Sequence, residues 1–137
     1  MDQSAYGSTS GTDEREARPM MERLLVYSLF DEISRLREED PWQNGDRNSR
    51  TLAKEVDFRV MLSLLRDGAI LHEQDGDARA SLHLLEGRAA LSLDADQAEL
   101  EAGEVAVVDA GQPWRLTAHG ECAVLLTLAW PREKAGV

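Results

Sequence analysis

The chain has 137 residues, enough for one domain with a substantial core, and its apolar content of 42% is that of an ordinary globular protein. A formal net charge of −11 disfavours nonspecific binding to nucleic acid or to an anionic membrane and otherwise reads as solubility. Cys122 is the one cysteine, which excludes an intrachain disulfide and fits a reducing cytoplasm.

Met1 to Arg18 holds Ser, Thr, Gly, Asp and Glu with almost no large apolar side chains. Such a segment cannot bury enough surface to offset its ordering entropy, so residues 1–20 are expected to be a disordered tail. The same acidic start is the opposite of a secretory leader, and the apolar runs are too short to span a bilayer, so a cytoplasmic location is expected. Leu24 to Tyr27 is a short apolar run suited to an extra strand. Ser28 reads as an N-cap with Asp31 three residues on, and Leu29, Ile33 and Leu36 recur at helical spacing. A helix is expected over about 29–38, with Asp31 and Glu32 near its start, Arg35 and Arg37 near its end, and Pro41 as its stop. It is read as packed on its own domain rather than as a partner-binding helix.

Glu39 to Arg50 reads as a loop with a turn at Asn44-Gly45, and Trp42 within it as a plug for one end of the domain. Thr51 to Val56 and Phe58 to Leu65 read as strands. The second is apolar nearly throughout, with Arg59 as its one charge. Asp67-Gly68 is a turn, Ala69 to Leu71 begins the next strand, and Glu73 to Arg79 is a polar loop. Three apolar runs follow, Leu82 to Leu85, Ala89 to Leu93 and Val105 to Val108, separated by turn signals at Glu86-Gly87, Asp94 to Asp96 and Gly103. They are read as a β-meander in a sandwich or barrel, with positive φ at Gly87 and Gly103. Trp114 to Ala118 is a strand, His119 to Glu121 a turn and Cys122 to Trp130 the last strand, ended by Pro131. Cys122 is expected as a buried thiol, and residues 132–137 as a frayed tail.

The stretch Leu84-Leu85-Glu86-Gly87, a hairpin, then Gly103-Glu104-Val105 and Val108-Asp109-Ala110-Gly111-Gln112-Pro113-Trp114, resembles the core of the cupin family. That family carries a Gly-Asp-x-x-x-(Ile/Val)-Pro-x-Gly-x-x-His signature. Both glycines match, whereas Asp109 stands at the proline place and Trp114 at the histidine place. The resemblance covers Arg59 to Trp130. It extends more weakly through Trp42 and Arg50-Thr51-Leu52 to small single-domain bacterial cupins of mostly unassigned function. It implies an all-β fold, a double-stranded β-helix or jelly-roll barrel, with a short N-terminal α-helix. The expected divisions are the tail 1–20, an N-terminal extension 21–50, the barrel 51–131 and the tail 132–137. It also implies a homodimer.

Cupins typically hold a metal with three His and one carboxylate, a set suited to iron, manganese or zinc. Carried over by position, the first His place is Gln74, the second Gly76 (or, with another loop length, Asp75 or Asp77), the Glu place falls at or near Ala80, and the last His place is Trp114 or a residue beside it. An amide, a glycine, a methyl and an indole do not make a transition-metal site. Three histidines remain, His72, His83 and His119. His72 and Gln74 share a strand face, read as the barrel interior, and a displaced metal site from His72, Gln74 and His83 is one alternative. The plainer reading has His72 lining a metal-free pocket, His83 facing outward or into an interface, and His119 solvated in its turn.

The sequence is therefore read as a metal-free, cofactor-free cupin that binds a small molecule or regulates, rather than as an enzyme. Its pocket is expected to be lined by His72, Gln74, Trp114, Met61 and Arg59, an aromatic and a few polar groups in an apolar barrel. A buried Arg59 would suit an anionic ligand, although a surface or interface salt bridge is its plainer fate. Two alternatives remain: a metal-dependent oxygenase or isomerase, and a protein-interaction module whose barrel is plugged by Trp114. The expected partners are a second copy of the chain and a small-molecule ligand, with no nucleic acid and no membrane.

Overall fold

A computed structural model describes residues 22–72 and 77–131. Both expected tails, and Gln74 and Gly76, lie outside the described residues. Helix α1 spans Leu29–Glu38 and a single turn, α2, spans Asp40–Asn44. Nine strands follow: β1 (Arg47–Glu55), β2 (Phe58–Leu65), β3 (Ile70–His72), β4 (Arg79–Glu86), β5 (Arg88–Leu93), β6 (Asp96–Glu101), β7 (Val105–Val108), β8 (Arg115–Ala118) and β9 (Cys122–Ala129). They form two antiparallel sheets, ordered β1-β2-β9-β4-β7 and β3-β8-β5-β6. The chain passes from one sheet to the other at nearly every turn, which is the jelly-roll way of closing a barrel.

Alternation decides which side chains enter the barrel. In β4, Ala80, Leu82 and Leu84 are buried between the sheets with Leu116, Ala118, Val124 and Leu126. Ser81, His83 and Leu85 point to the other face. In β2 the periods are complementary: Leu62 and Leu64 belong to a second apolar cluster outside the large sheet, with Ile33, Leu36, Trp42 and Leu52. Arg59, Met61, Ser63 and Leu65 therefore face the barrel. The second cluster is where α1 docks, and fully burying each of its leucines contributes about 2 kcal/mol.

The helix has the bounds read from its spacing. Ser28 caps it, its Oγ accepting from Asp31 N at 3.4 Å. Pro41 does more than stop it: a proline is tolerated in a first helical turn, and Pro41 opens α2. The expected loop over Glu39 to Arg50 is thus a helical turn followed by the start of β1, whose Asn48 and Arg50 alternate inward beneath α1. Trp42 plugs no barrel end; it lies under α1 with the guanidinium of Arg66 4.1 Å over its ring. Leu24 to Tyr27 runs extended without joining a sheet, pinned by the Tyr27 hydroxyl donating to the Leu52 carbonyl at 2.8 Å.

The expected meander is also corrected. β4 and β5 do not pair; β5 pairs with β6 and β8, and β7 returns to pair with β4. Gly87 makes this exchange at φ +85, where an added Cβ would run into the Glu121 carbonyl and sit 2.8 Å from Cys122 Cβ. β6, Asp-Gln-Ala-Glu-Leu-Glu, has no apolar run to announce it, because it is an edge strand that buries only Leu100.

Strand directions define two barrel ends. The turns at Gly68, Gly87, Gly103 and Gly120 share one. The other, the far end, gathers the β1–β2 turn, the end of β3, the start of β4, the 109–113 connection and the end of β9.

Candidate functional site

The registers bring particular residues to the far end. Across the large sheet, Arg59 stands opposite Leu128, Leu128 opposite Ala80, and Ala80 opposite Val108. Met61, Leu126, Leu82 and Ala106 form the next interior row. Trp114 immediately precedes β8, whose Arg115 opposes His72 and Ser92, and so enters from the small sheet at the same end. Trp114 is only 4% exposed and packs in the core cluster with Ala80 and Val108.

The interior is chemically two-sided. Around β4, β7, β8 and β9 it is apolar. Along β1 and β2 it is polar: Ser49 and Ser63 hydrogen-bond through their hydroxyls at 2.8 Å, then come Thr51 and Met61, then Lys54 directly opposite Arg59. Leu52 lies on the α1 side with Asn48 and Arg50, and a bulge between Thr51 and Ala53 then shifts the alternation so that Lys54 returns to the interior face. Arg59 and Met61 are half-buried, in contrast to the fully buried Leu62 to Leu65 of the same strand. The Arg59 guanidinium lies 5.3 Å from the centroid of the Trp130 ring. Its Nε is buried without a hydrogen-bond acceptor, as is Nε1 of Trp114. Both are donors, and a buried donor left unmade costs about 1–3 kcal/mol.

Of the five expected pocket residues, Arg59 and Met61 lie on the inner face of β2 toward the far end, Trp114 enters the core just before β8 at the same end, and Gln74 lies outside the described residues. His72 is exposed, and its neighbour Leu71 is the one packed on the core, so His72 lies on the outer face beside Arg115. His83 is half-buried on the outer face of the other sheet, opposite Val105 and Leu125. The two histidines thus share neither a sheet nor an interior face. Among the described residues, no group of three or more His, Cys, Asp or Glu side chains is placed to hold a metal ion. Ala80 and Trp114, which stand at two of the ligand places carried by the resemblance, fill apolar core. His119 is half-exposed, its Nδ1 3.4 Å from Glu99.

Two further titratable groups bracket the site without entering it. Asp109, in the 109–113 connection, is held below the usual carboxylate range first by the Ala110 N–H and then by Arg79, 2.9 Å away. Cys122 lies toward the opposite end; burial, aided by the charge of Glu121, pushes its thiol up to about 11, which makes it inert rather than nucleophilic.

Two participants escape a reading of the sequence. Lys54 faces Arg59 through the tight Val56-Asp57 hairpin, and the bulge that turns it to the interior has no signal in the sequence. Trp130 joins Arg59 because the end of β9 lies beside the start of β2, a pairing distant in sequence.

No family model matches the sequence, and no curated protein matches it either. Solved structures do. A conserved protein of unknown function from Streptococcus pyogenes is 20% identical, with 85% of this chain and 95% of that one covered and a TM-score of 0.61. A cupin superfamily protein from Desulfitobacterium hafniense is 17% identical over 85% of this chain and 97% of that one, with a TM-score of 0.60. An HTH_3 family transcriptional regulator from Vibrio cholerae is 19% identical over 76% of this chain and 62% of that one, with a TM-score of 0.59. The two sheets, their strand order and these likenesses agree with the glycine pattern around Gly87, Gly103 and Gly111: the chain has the cupin fold.

Proposed function

We propose that this cupin-fold chain binds a small molecule at the far end of its barrel and acts as a binding or regulatory protein, with no resident metal. One observation carries the reading. At the positions where the resemblance would put metal ligands, Ala80 and Trp114 contribute a methyl and an indole to apolar core, while Arg59 and Trp114 keep buried donors without acceptors beside them. An apolar wall with a few convergent polar groups is the makeup of a ligand site rather than of a metal centre. The occurrence of this fold in a transcriptional regulator from Vibrio cholerae supports the regulatory half of the proposal.

A thermal-shift screen of small polar and amphiphilic compounds tests it, run on the wild type and on Met61→Trp, whose indole would occupy the space beside Arg59 that the proposal gives to the ligand. A ligand at a hundredfold its Kd adds about 2.7 kcal/mol, a shift of several degrees in Tm. Compounds that stabilise the wild type and not the variant are expected. A screen without a stabilising compound would remove the proposal.

A second reading is favoured by the surface. Val105 and Val107 of the edge strand β7 are exposed, Val107 at 75%, and β7 is an apolar edge where β1 and β6 are charged and β3 is very short. We place a second copy of the chain there, making a homodimer, which would stand with or without a ligand. No helix among the described residues is long and apolar enough to cross a membrane. The cytoplasm is the proposed compartment, a reading supported by a lone cysteine kept as a buried thiol.

A further inference from the structure

We infer that the ligand of the far end is a small organic anion, a carboxylate on a compact apolar body, with its charged head on Arg59 and Trp114. This deepens the binding reading above and rests on it.

The sign of the unmet capacity is the first argument. Two side chains placed at this end carry unmatched polar atoms, Arg59 Nε and Trp114 Nε1, and neither can accept a hydrogen bond. A ligand that satisfies them must bring acceptors. The second argument is charge. Lys54 and Arg59 stand directly opposite one another on the interior face, in a chain whose net charge is −11. A positive interior face attracts an anion, and Arg59 carries that argument, since Lys54 has contacts of its own. Acidic neighbours do not cancel Arg59: among the described residues it has no carboxylate within ion-pair distance. Glu55 pairs opposite Phe58, on the other face of the hairpin, and Asp109 is engaged by Arg79. The third argument is orientation. Trp130 lies against the Arg59 guanidinium, which steadies that long side chain without using its in-plane donors. The body of the ligand would meet Met61, Leu126, Leu128 and Ala80, a mostly apolar surface with Thr51 as its polar margin, so an extended polyanion such as a nucleotide is disfavoured.

The test uses ¹⁵N-labelled full-length protein and the indole N–H resonance of Trp114, identified by its loss in Trp114→Phe. The probes are benzoate, cyclohexanecarboxylate, the neutral isostere benzamide, and inorganic phosphate. Benzoate and cyclohexanecarboxylate should move the Trp114 resonance saturably, while benzamide and phosphate at the same concentrations leave it in place. Arg59→Gln should weaken benzoate about tenfold to a hundredfold with Tm unchanged, and Arg59→Lys should recover part of that loss. Equal binding of benzamide and benzoate, or benzoate affinity unaffected by Arg59→Gln, would overturn the anionic assignment and leave the binding reading standing. Phosphate binding as well as benzoate would overturn the apolar body. A silent resonance with all probes, where the thermal-shift screen has found a neutral ligand, rejects the anion alone. Silence in both experiments rejects the anion and the binding site together.

Discussion

Single residues carry unequal weight here, and burial decides which matter. Glu32 is 2% exposed and Arg50 4%, with Arg50 Nε 3.0 Å from Glu32 Oε1 and Arg50 Nη2 2.7 Å from Glu39 Oε2. The Arg50 Nε contact is an ion pair without hydrogen-bond alignment, so the charges, not a directed bond, hold it. Asn48 completes the patch, its Nδ2 donating to the Leu36 carbonyl and to Glu39. Removing one member of a buried pair strands the other. Glu32→Ala should therefore cost about 3 kcal/mol in urea unfolding, at the lower end of the range because Glu39 still reaches Arg50, whereas Glu32→Leu with Arg50→Met should lie within about 1–2 kcal/mol of wild type. None of this was legible in the sequence: Glu32 reads there as a dipole-complementing residue of a first turn, and only the docking of α1 over β1 turns it inward. Cys122 was legible, because it opens a long apolar run. Its folded pKa of about 11 lies above the ordinary 9.0, so the neutral thiol is favoured by folding. That contribution is complete below pH 9 and is lost as pH rises toward 11, at about 1.4 kcal/mol per pH unit. The stability gap between wild type and Cys122→Ala should accordingly shrink between about pH 8 and about pH 10.5; a constant gap would contradict the assignment.

Elements show the same contrast between local and distant causes. Helix α1 was readable to its ends because its cap, its apolar spacing and Pro41 are all local. Strand lengths were readable for β2 and β9, each an apolar run bounded by turn residues. Pairing was not: a turn of Glu86-Gly87 looks the same whether it returns the chain to a neighbouring strand or carries it to the other sheet. The structure separates the glycines accordingly. At Gly87, φ +85 combines with a collision against Glu121 and Cys122, so Gly87→Ala should cost about 3 kcal/mol or more. At Gly103, φ +95 comes with nothing within 4 Å, so Gly103→Ala should cost only about 1 kcal/mol. Equal losses in denaturant midpoints would show that conformation alone, and not the crossing between sheets, governs Gly87. The candidate site follows the same rule. The inner face shared by Arg59 and Met61 in β2, and the place of Trp114 after Gly111, were readable because both are local; the pocket they would line is the proposal. His72 was misplaced by one residue of register: the strand is short, and Leu71, not His72, meets Leu116 across it.

At the scale of the whole molecule, fold and site separate cleanly. The glycine pattern and the strand spacing led to the jelly roll, and the structural likenesses agree, but a fold shared by many functions leaves the chemistry to the residues inside it. The arrangement of edges gives a prediction of its own: if a second copy covers β7, Val107→Lys should convert a dimer to a monomer in sedimentation equilibrium with little loss of thermal stability of the fold, whereas a wild type that is already monomeric would remove the homodimer. The central claim is that apolar core and unmatched donors have replaced a metal centre at the far end. Plasma mass spectrometry of the tag-free protein, after incubation with iron, manganese, zinc, nickel and copper and exhaustive dialysis, tests it most directly. The account predicts far less than about one equivalent of any metal per chain. About one equivalent retained through dialysis, and released by His72→Ala or by Gln74→Ala, would contradict it.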